Sequence, residues 1–152
     1  MNNRIALPPR RAAPVSVPRT EQVLFTLLHA ARNLEQRMET ALEEVGLSTP
    51  KFAALTHLVD AGEPLSLSEC AARMTCVRSN ITQLMDRLEA EGLVRRVDDP
   101  TDRRGVKAIV TPLGMERQAA GAKKMAGVQK QLARTLSGVD RAALVRALAA
   151  VR

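Results

Sequence analysis

Between Arg78 and Arg87 the sequence holds short polar side chains, Ser79, Thr82, Gln83 and Asp86, at steps of three and four residues, with Asn80 at their edge. Such spacing places Ser79, Thr82, Gln83 and Asp86 on one side of a helix at 100° per residue, while Val77, Ile81, Leu84, Met85 and Leu88 fall on the other. Gln pairs bidentately with adenine N6 and N7, a Thr methyl packs on the thymine methyl, and Arg reaches guanine or phosphate. The inventory therefore suits reading base edges in a major groove. A merely solvated helix more often carries long Lys and Glu pairs at these spacings.

A second set lies in Asp98-Asp99-Pro100-Thr101-Asp102-Arg103-Arg104-Gly105. Arg103 and Arg104 at the tip of a hairpin, steadied by Asp102, suit a narrow minor groove, where negative potential concentrates. Arg96, in the run leading to that tip, joins them as a candidate contact. Cys70 and Cys76 carry two readings. They are small buried hydrophobes, or Cys76, just ahead of a helix N-terminus that lowers its thiol pKa, is a redox sensor with Cys70 as a second candidate. Both cysteines with His29 and His57 have no metal-ligand spacing, so neither a metal nor a cofactor is expected. No phosphate-cradling glycine loop, apolar carboxylate pair or nucleophile with a base stands in the sequence, which argues against an enzyme.

These residues need rigid supports. From Thr20 to Val45 apolar residues recur every three or four positions, predicting a long amphipathic helix stopped by Gly46. Ser48 and Pro50 open a second helix carrying Phe52, Leu55, Leu58 and Val59, which ends at Ala61-Gly62. The run 66–74 predicts a short helix capped by Ser66 or Ser68, and a tight turn joins it to the polar-faced helix, which Gly92 closes. Leu93–Val97 and Val106–Thr111 predict the strands of a β-hairpin around the charged tip. Pro112 and Gly114 precede another long helix, and a last one follows Ser137-Gly138.

The run from Arg78 to Val94 resembles the recognition helix and first wing strand of the MarR family of bacterial transcriptional regulators. Asp98-Asp99-Pro100-Thr101-Asp102-Arg103-Arg104, followed by Val110-Thr111-Pro112-Leu113-Gly114, resembles that family's wing and the entry to its next helix. The resemblance covers about residues 20–152. It implies a winged helix-turn-helix homodimer in which the first and last two helices of each chain interlock and present two winged domains to a pseudo-palindromic operator. It also implies repression, with release by a small aromatic or anionic effector in a crevice drawing on the first, second and fifth helices, where His29, Arg32, Phe52 and His57 are the candidate lining. One departure is Gln83, where family members commonly carry a second basic residue.

The expected fold is thus mainly α with a small β-hairpin wing: a winged helix-turn-helix domain over 47–112 and a helical dimerisation region over 20–46 and 113–152. Independently of the resemblance, the first and last helices carry more apolar surface than the small central domain covers. A net charge of +7 predicts attraction to a polyanion, yet residues 1–19 supply +4 of it through Arg4, Arg10, Arg11 and Arg19, with no acid. Pro8, Pro9, Pro14 and Pro18 make that stretch read as a disordered basic arm. With no signal peptide or membrane-spanning run, the chain is expected in the cytoplasm, associated with the nucleoid, and not at a membrane. The remaining alternative of another class is a winged helix used only for contact with other proteins.

Overall fold

A computed structural model of the chain describes residues 18–74, 78–99 and 102–151. Among the described residues six helices and three strands follow in the order α1 (Thr20–Glu43), α2 (Thr49–Ala61), β1 (Leu65–Ser66), α3 (Leu67–Arg73), α4 (Arg78–Ala90), β2 (Val94–Asp99), β3 (Asp102–Val110), α5 (Pro112–Thr135) and α6 (Arg141–Ala149). The chain divides into two compact units, Met1–Asn33 and Leu34–Arg152. No helix among the described residues is long and apolar enough to cross a membrane.

In the first unit, Val23, Leu24, Leu27 and Leu28 form the expected apolar stripe of α1, and all four are exposed, as is Phe25 at 69%. In the second unit one core collects side chains from every expected element of the winged region. Leu42, Leu55, Leu58, Leu65, Ile81, Met85, Leu88 and Val94 are buried within it. Cys70 is buried there too, the position expected of a small hydrophobe. On α6, Val145 is 65% exposed, and Leu148 and the following Val151 are exposed as well.

The helix ends follow from local chemistry. Gly46, Gly62 and Gly92 adopt positive φ of 72°, 67° and 71°, the left-handed conformation that ends helices at little cost only in glycine. Of the two candidate caps for α3, Ser66 is the one used: its hydroxyl accepts from Glu69 N while Glu69 Oε2 accepts from Ser66 N, a reciprocal capping box. The Glu69 carboxyl is held below its ordinary pKa first by hydrogen bonding from the Ser66 hydroxyl to the carboxylate and then by the bond from the Ser66 amide.

Two expectations need correction. The hairpin is part of a three-stranded antiparallel sheet of order β1-β3-β2, because Leu65 and Ser66 pair with Ala108 and Lys107. The strands also run further than their apolar residues suggest. β2 extends to Asp99 and β3 begins at Asp102, so Asp102, Arg103 and Arg104 belong to a strand and not to a loop. Cross-strand backbone pairing carries the charged positions into the ladder, Asp98 opposite Val106 and Asp99 opposite Asp102 with an irregularity between.

Ser48 stands at the N-cap of α2, but its side chain makes no capping bond. Glu39 of α1 supplies the acceptor instead, taking hydrogen bonds from Thr49 N at 2.8 Å and Thr49 Oγ1 at 2.6 Å. Those bonds, the hydroxyl's first and the amide's second, lower the Glu39 pKa against a small opposing effect of burial. A folded-state pKa below the unfolded one gives stability that is present above the unfolded pKa and lost as pH falls through the folded one. Glu39→Gln should therefore melt below wild type at neutral pH, and the gap should close on acidification; a gap that stays constant would remove the charge from the account.

Candidate nucleic-acid interface

The helix-turn-helix is α3 followed by α4; residues 75–77 between them in sequence, Cys76 among them, lie outside the described residues. Ile81, Met85 and Leu88 anchor α4 in the core, and Leu84 is half-buried. That registry leaves Asn80, Thr82, Gln83, Asp86 and Arg87 exposed together, the face anticipated from the helical period. Arg78 and Ser79 belong to α4 by their backbone, and Arg103 and Arg104 to β3; their side chains lie outside the description. Asp102 is exposed at the start of β3.

The wing is fixed to α4 by charge as well as by its core residues. Arg96 of β2 places Nη2 2.5 Å from Asp86 Oδ1 and Nη1 2.6 Å from Glu89 Oε2, and its backbone N donates to Glu89 Oε1 at 2.9 Å. The Asp86 hydrogen bond is the main reason the Arg96 pKa is raised further. Arg96, a candidate DNA contact from its sequence position, is thus engaged with two acids of α4. Farther out, Lys107 Nζ lies 3.3 Å from Asp99 Oδ2 and ties β3 to β2. Behind the wing, Thr111 holds the start of α5: its hydroxyl donates to Gly92 O at 2.7 Å and accepts from Gly114 N at 3.0 Å.

A cavity of about 450 Å³ opens against the polar face of α4, lined by Pro50 and Ala53 of α2, Met74, and Asn80, Gln83, Leu84 and Arg87 of α4, among others. Sequence reasoning missed it, since a gap between a small residue on one helix and Leu84 on another leaves no periodic signal. The four residues expected to line an effector crevice are placed as follows. His29 and Arg32 border an open groove on α1 with Phe25, Thr26 and Leu28. On α2, His57 is half-buried, and the Phe52 ring packs over Gly121 of α5, where an added Cβ would stand 2.7 Å from Phe52 Cδ2. No cluster of three or more His, Cys, Asp or Glu side chains able to hold a metal occurs among the described residues.

Residues 47–106, from the end of the α1–α2 turn into β3, match the MarR family model. Over this segment, which holds the helix-turn-helix and most of the wing, the chain is similar to the MarR family. It is 33% identical over 89 residues to the HTH-type transcriptional regulator YsmB of Bacillus subtilis, covering 59% of this chain and 60% of that one. It is likewise 33% identical over 100 residues to the HTH-type transcriptional regulator PrsX of Escherichia coli, covering 64% and 60%. The chain thus spans less than two thirds of these relatives' length. Among solved structures, the transcriptional repressor CouR bound to a 23-mer DNA duplex superposes with a TM-score of 0.75 at 27% identity, covering 87% of this chain and 93% of that one. The mainly helical fold with its small antiparallel sheet, shared with these winged-helix regulators, agrees with the sequence-based expectation.

Proposed function

We propose that the chain is a sequence-specific duplex-DNA-binding transcriptional repressor. The observation that carries this reading is the exposed polar face of α4, Asn80, Thr82, Gln83 and Arg87, presented beside the basic hairpin on a core that holds both in register. CouR, with the same fold, is a repressor seen on a DNA duplex, which supports the assignment. In this reading Thr82, Gln83 and Ser79 read bases, Arg78 and Arg87 grip the flanking phosphates, and Arg103 and Arg104 enter the neighbouring minor groove.

The protein acts as a homodimer on a pseudo-palindrome whose half-sites lie about 34 Å apart, one helical turn. The exposed apolar residues of α1 and, separately, of α6 support dimerisation, because a soluble monomer rarely leaves so many uncovered. A small aromatic or anionic effector releases the DNA, with His29 and Arg32 on α1 and, separately, Phe52 and His57 on α2 as candidate contacts.

The test is anisotropy titration of a duplex that the protein enriches from a random pool, across a range of salt. A log-log salt dependence set by the number of neutralised phosphates is expected. Gln83→Ala should relax the preference for one base pair, whereas Arg103→Ala should weaken all duplexes alike. Failure to enrich any duplex, or affinity indifferent to salt, would refute the proposal and favour a module for protein contacts.

A further inference from the structure

Asp86 is out of place on a surface that meets DNA. It stands three residues beyond Gln83 and four beyond Thr82, its side chain is 56% exposed, and a carboxylate there faces a polyanion. Glu89 adds a second negative charge one turn on. The structure answers both acids with one residue. The Arg96 fork spans from Asp86 to Glu89, while its backbone N–H is held by the same Glu89 carboxylate. Arg96 is only 29% exposed by side chain, so the guanidinium is drawn in against α4. Two of its five N–H donors point at these carboxylates at short range, which suits a planar fork and not an ammonium.

Resting on the DNA-binding reading above, we propose that Arg96 is a positioning and charge-masking residue for DNA recognition and not a phosphate or base ligand. It neutralises the acid on the reading face, and it locks β2, and with it the wing, to the C-terminal half of α4. The reading helix and the wing then approach DNA as one piece with less of the repulsion that Asp86 and Glu89 would otherwise exert. Arg96 acts through Asp86 and Glu89, and those two contribute to recognition only through it.

The experiment compares the full-length wild type with Arg96→Gln, Asp86→Asn, the double variant and Arg96→Lys, all by anisotropy on the enriched duplex at several salt concentrations, with a thermal melt of each. Arg96→Gln should lose about 10- to 100-fold in affinity with no change in the salt slope, because no phosphate contact is removed. Adding Asp86→Asn should restore most of that loss. A purely structural joint predicts no such rescue, since removing a second partner does not rebuild the contact. Arg96→Lys, which keeps the charge but cannot span two carboxylates, should bind several-fold more weakly than wild type.

Arg96 as a DNA ligand predicts the opposite pattern: a salt slope lowered by about one in Arg96→Gln, near-normal binding by Arg96→Lys and no rescue. Any of these would overturn the proposal while leaving DNA binding intact. Wild type that enriches no duplex overturns both, and it does so before any variant is made. Should Arg96→Gln melt too low to assay, the Arg96→Lys affinity and slope decide the matter alone.

Discussion

Gly114→Ala is expected to destabilise the protein by about 3 kcal/mol or more, against the usual sign of the change, since alanine in a helix interior is ordinarily favoured over glycine by up to about 1 kcal/mol. Gly114 lies buried in the first turn of α5, where that helix crosses the entry to β2. A Cβ built there would stand 2.0 Å from Leu93 O and 2.8 Å from Val110 Cγ2. The carbonyl has little room to retreat. Leu93 O accepts from Thr111 N at 3.0 Å, Leu93 N donates to Leu88 O at 2.9 Å, and the Leu93 side chain is buried in the core.

The helix must therefore move, and with it the Thr111 bridge that joins α5 to Gly92. A fall in Tm of roughly 10 °C follows from the size scaling for a domain of this length. Gly127 on the same helix is the internal control. Nothing lies within 4 Å of a Cβ placed there, so Gly127→Ala should leave the melt unchanged or raise it, measured at equal protein concentration. A Gly114→Ala melt within a degree or two of wild type would mean that the helix and the strand are not held as closely as their geometry states.

The contrast between these two glycines marks how far sequence reasoning reaches. Gly114 reads from sequence as a residue at the entry to the helix and Gly127 as one within it, and neither setting announces that a Cβ at Gly114 alone would meet Leu93 O and Val110. Features that depend on neighbours along the chain were legible. The burial of Ile81, Met85 and Leu88 against the exposure of Thr82, Gln83 and Asp86 follows from the 100° period alone, and Gly46, Gly62 and Gly92 stop helices where their freedom at positive φ predicts. Features made by distant partners were not. β1 has two residues and no periodicity, so only its pairing with Ala108 and Lys107 defines it. The cap of α2 comes from Glu39 on the preceding helix, while Ser48, the residue that local rules favour, stays out of it.

Charged residues were the hardest to place. Arg96 and Arg103 look alike in sequence, as basic residues in or beside the wing. Arg96 is claimed by two acids on α4, seven and ten residues back in the chain. Whether a guanidinium faces solvent or an internal partner depends on the angle between β2 and α4, which the core residues Leu88, Leu93 and Val94 set. A tally of basic residues therefore overstates the charge offered to DNA, just as the overall +7 does, since more than half of it lies in residues 1–19.

Gln83→Glu is expected to abolish specific DNA binding, with an affinity at least ~100-fold below wild type, equivalent to about 2.7 kcal/mol, and a melt that stays where it was. The substitution is nearly isosteric and exposed, so the fold has no reason to respond. Two effects add. A carboxylate in the middle of the reading face sets like charge against the duplex, which costs several kcal/mol at a desolvated contact. It also stands four residues before Arg87 in the favourable helical order for an ion pair, and Arg87 has no ion-pair partner of its own among the described residues. The new acid would therefore draw Arg87 away from the phosphate it is proposed to grip, removing a contact from every sequence alike. Gln83→Ala separates the two effects, because it deletes the reading group and leaves Arg87 free; it should weaken the preferred duplex modestly and others hardly at all. If Gln83→Glu and Gln83→Ala bind equally well, residue 83 does not face the DNA, and the orientation assigned to α4 is wrong.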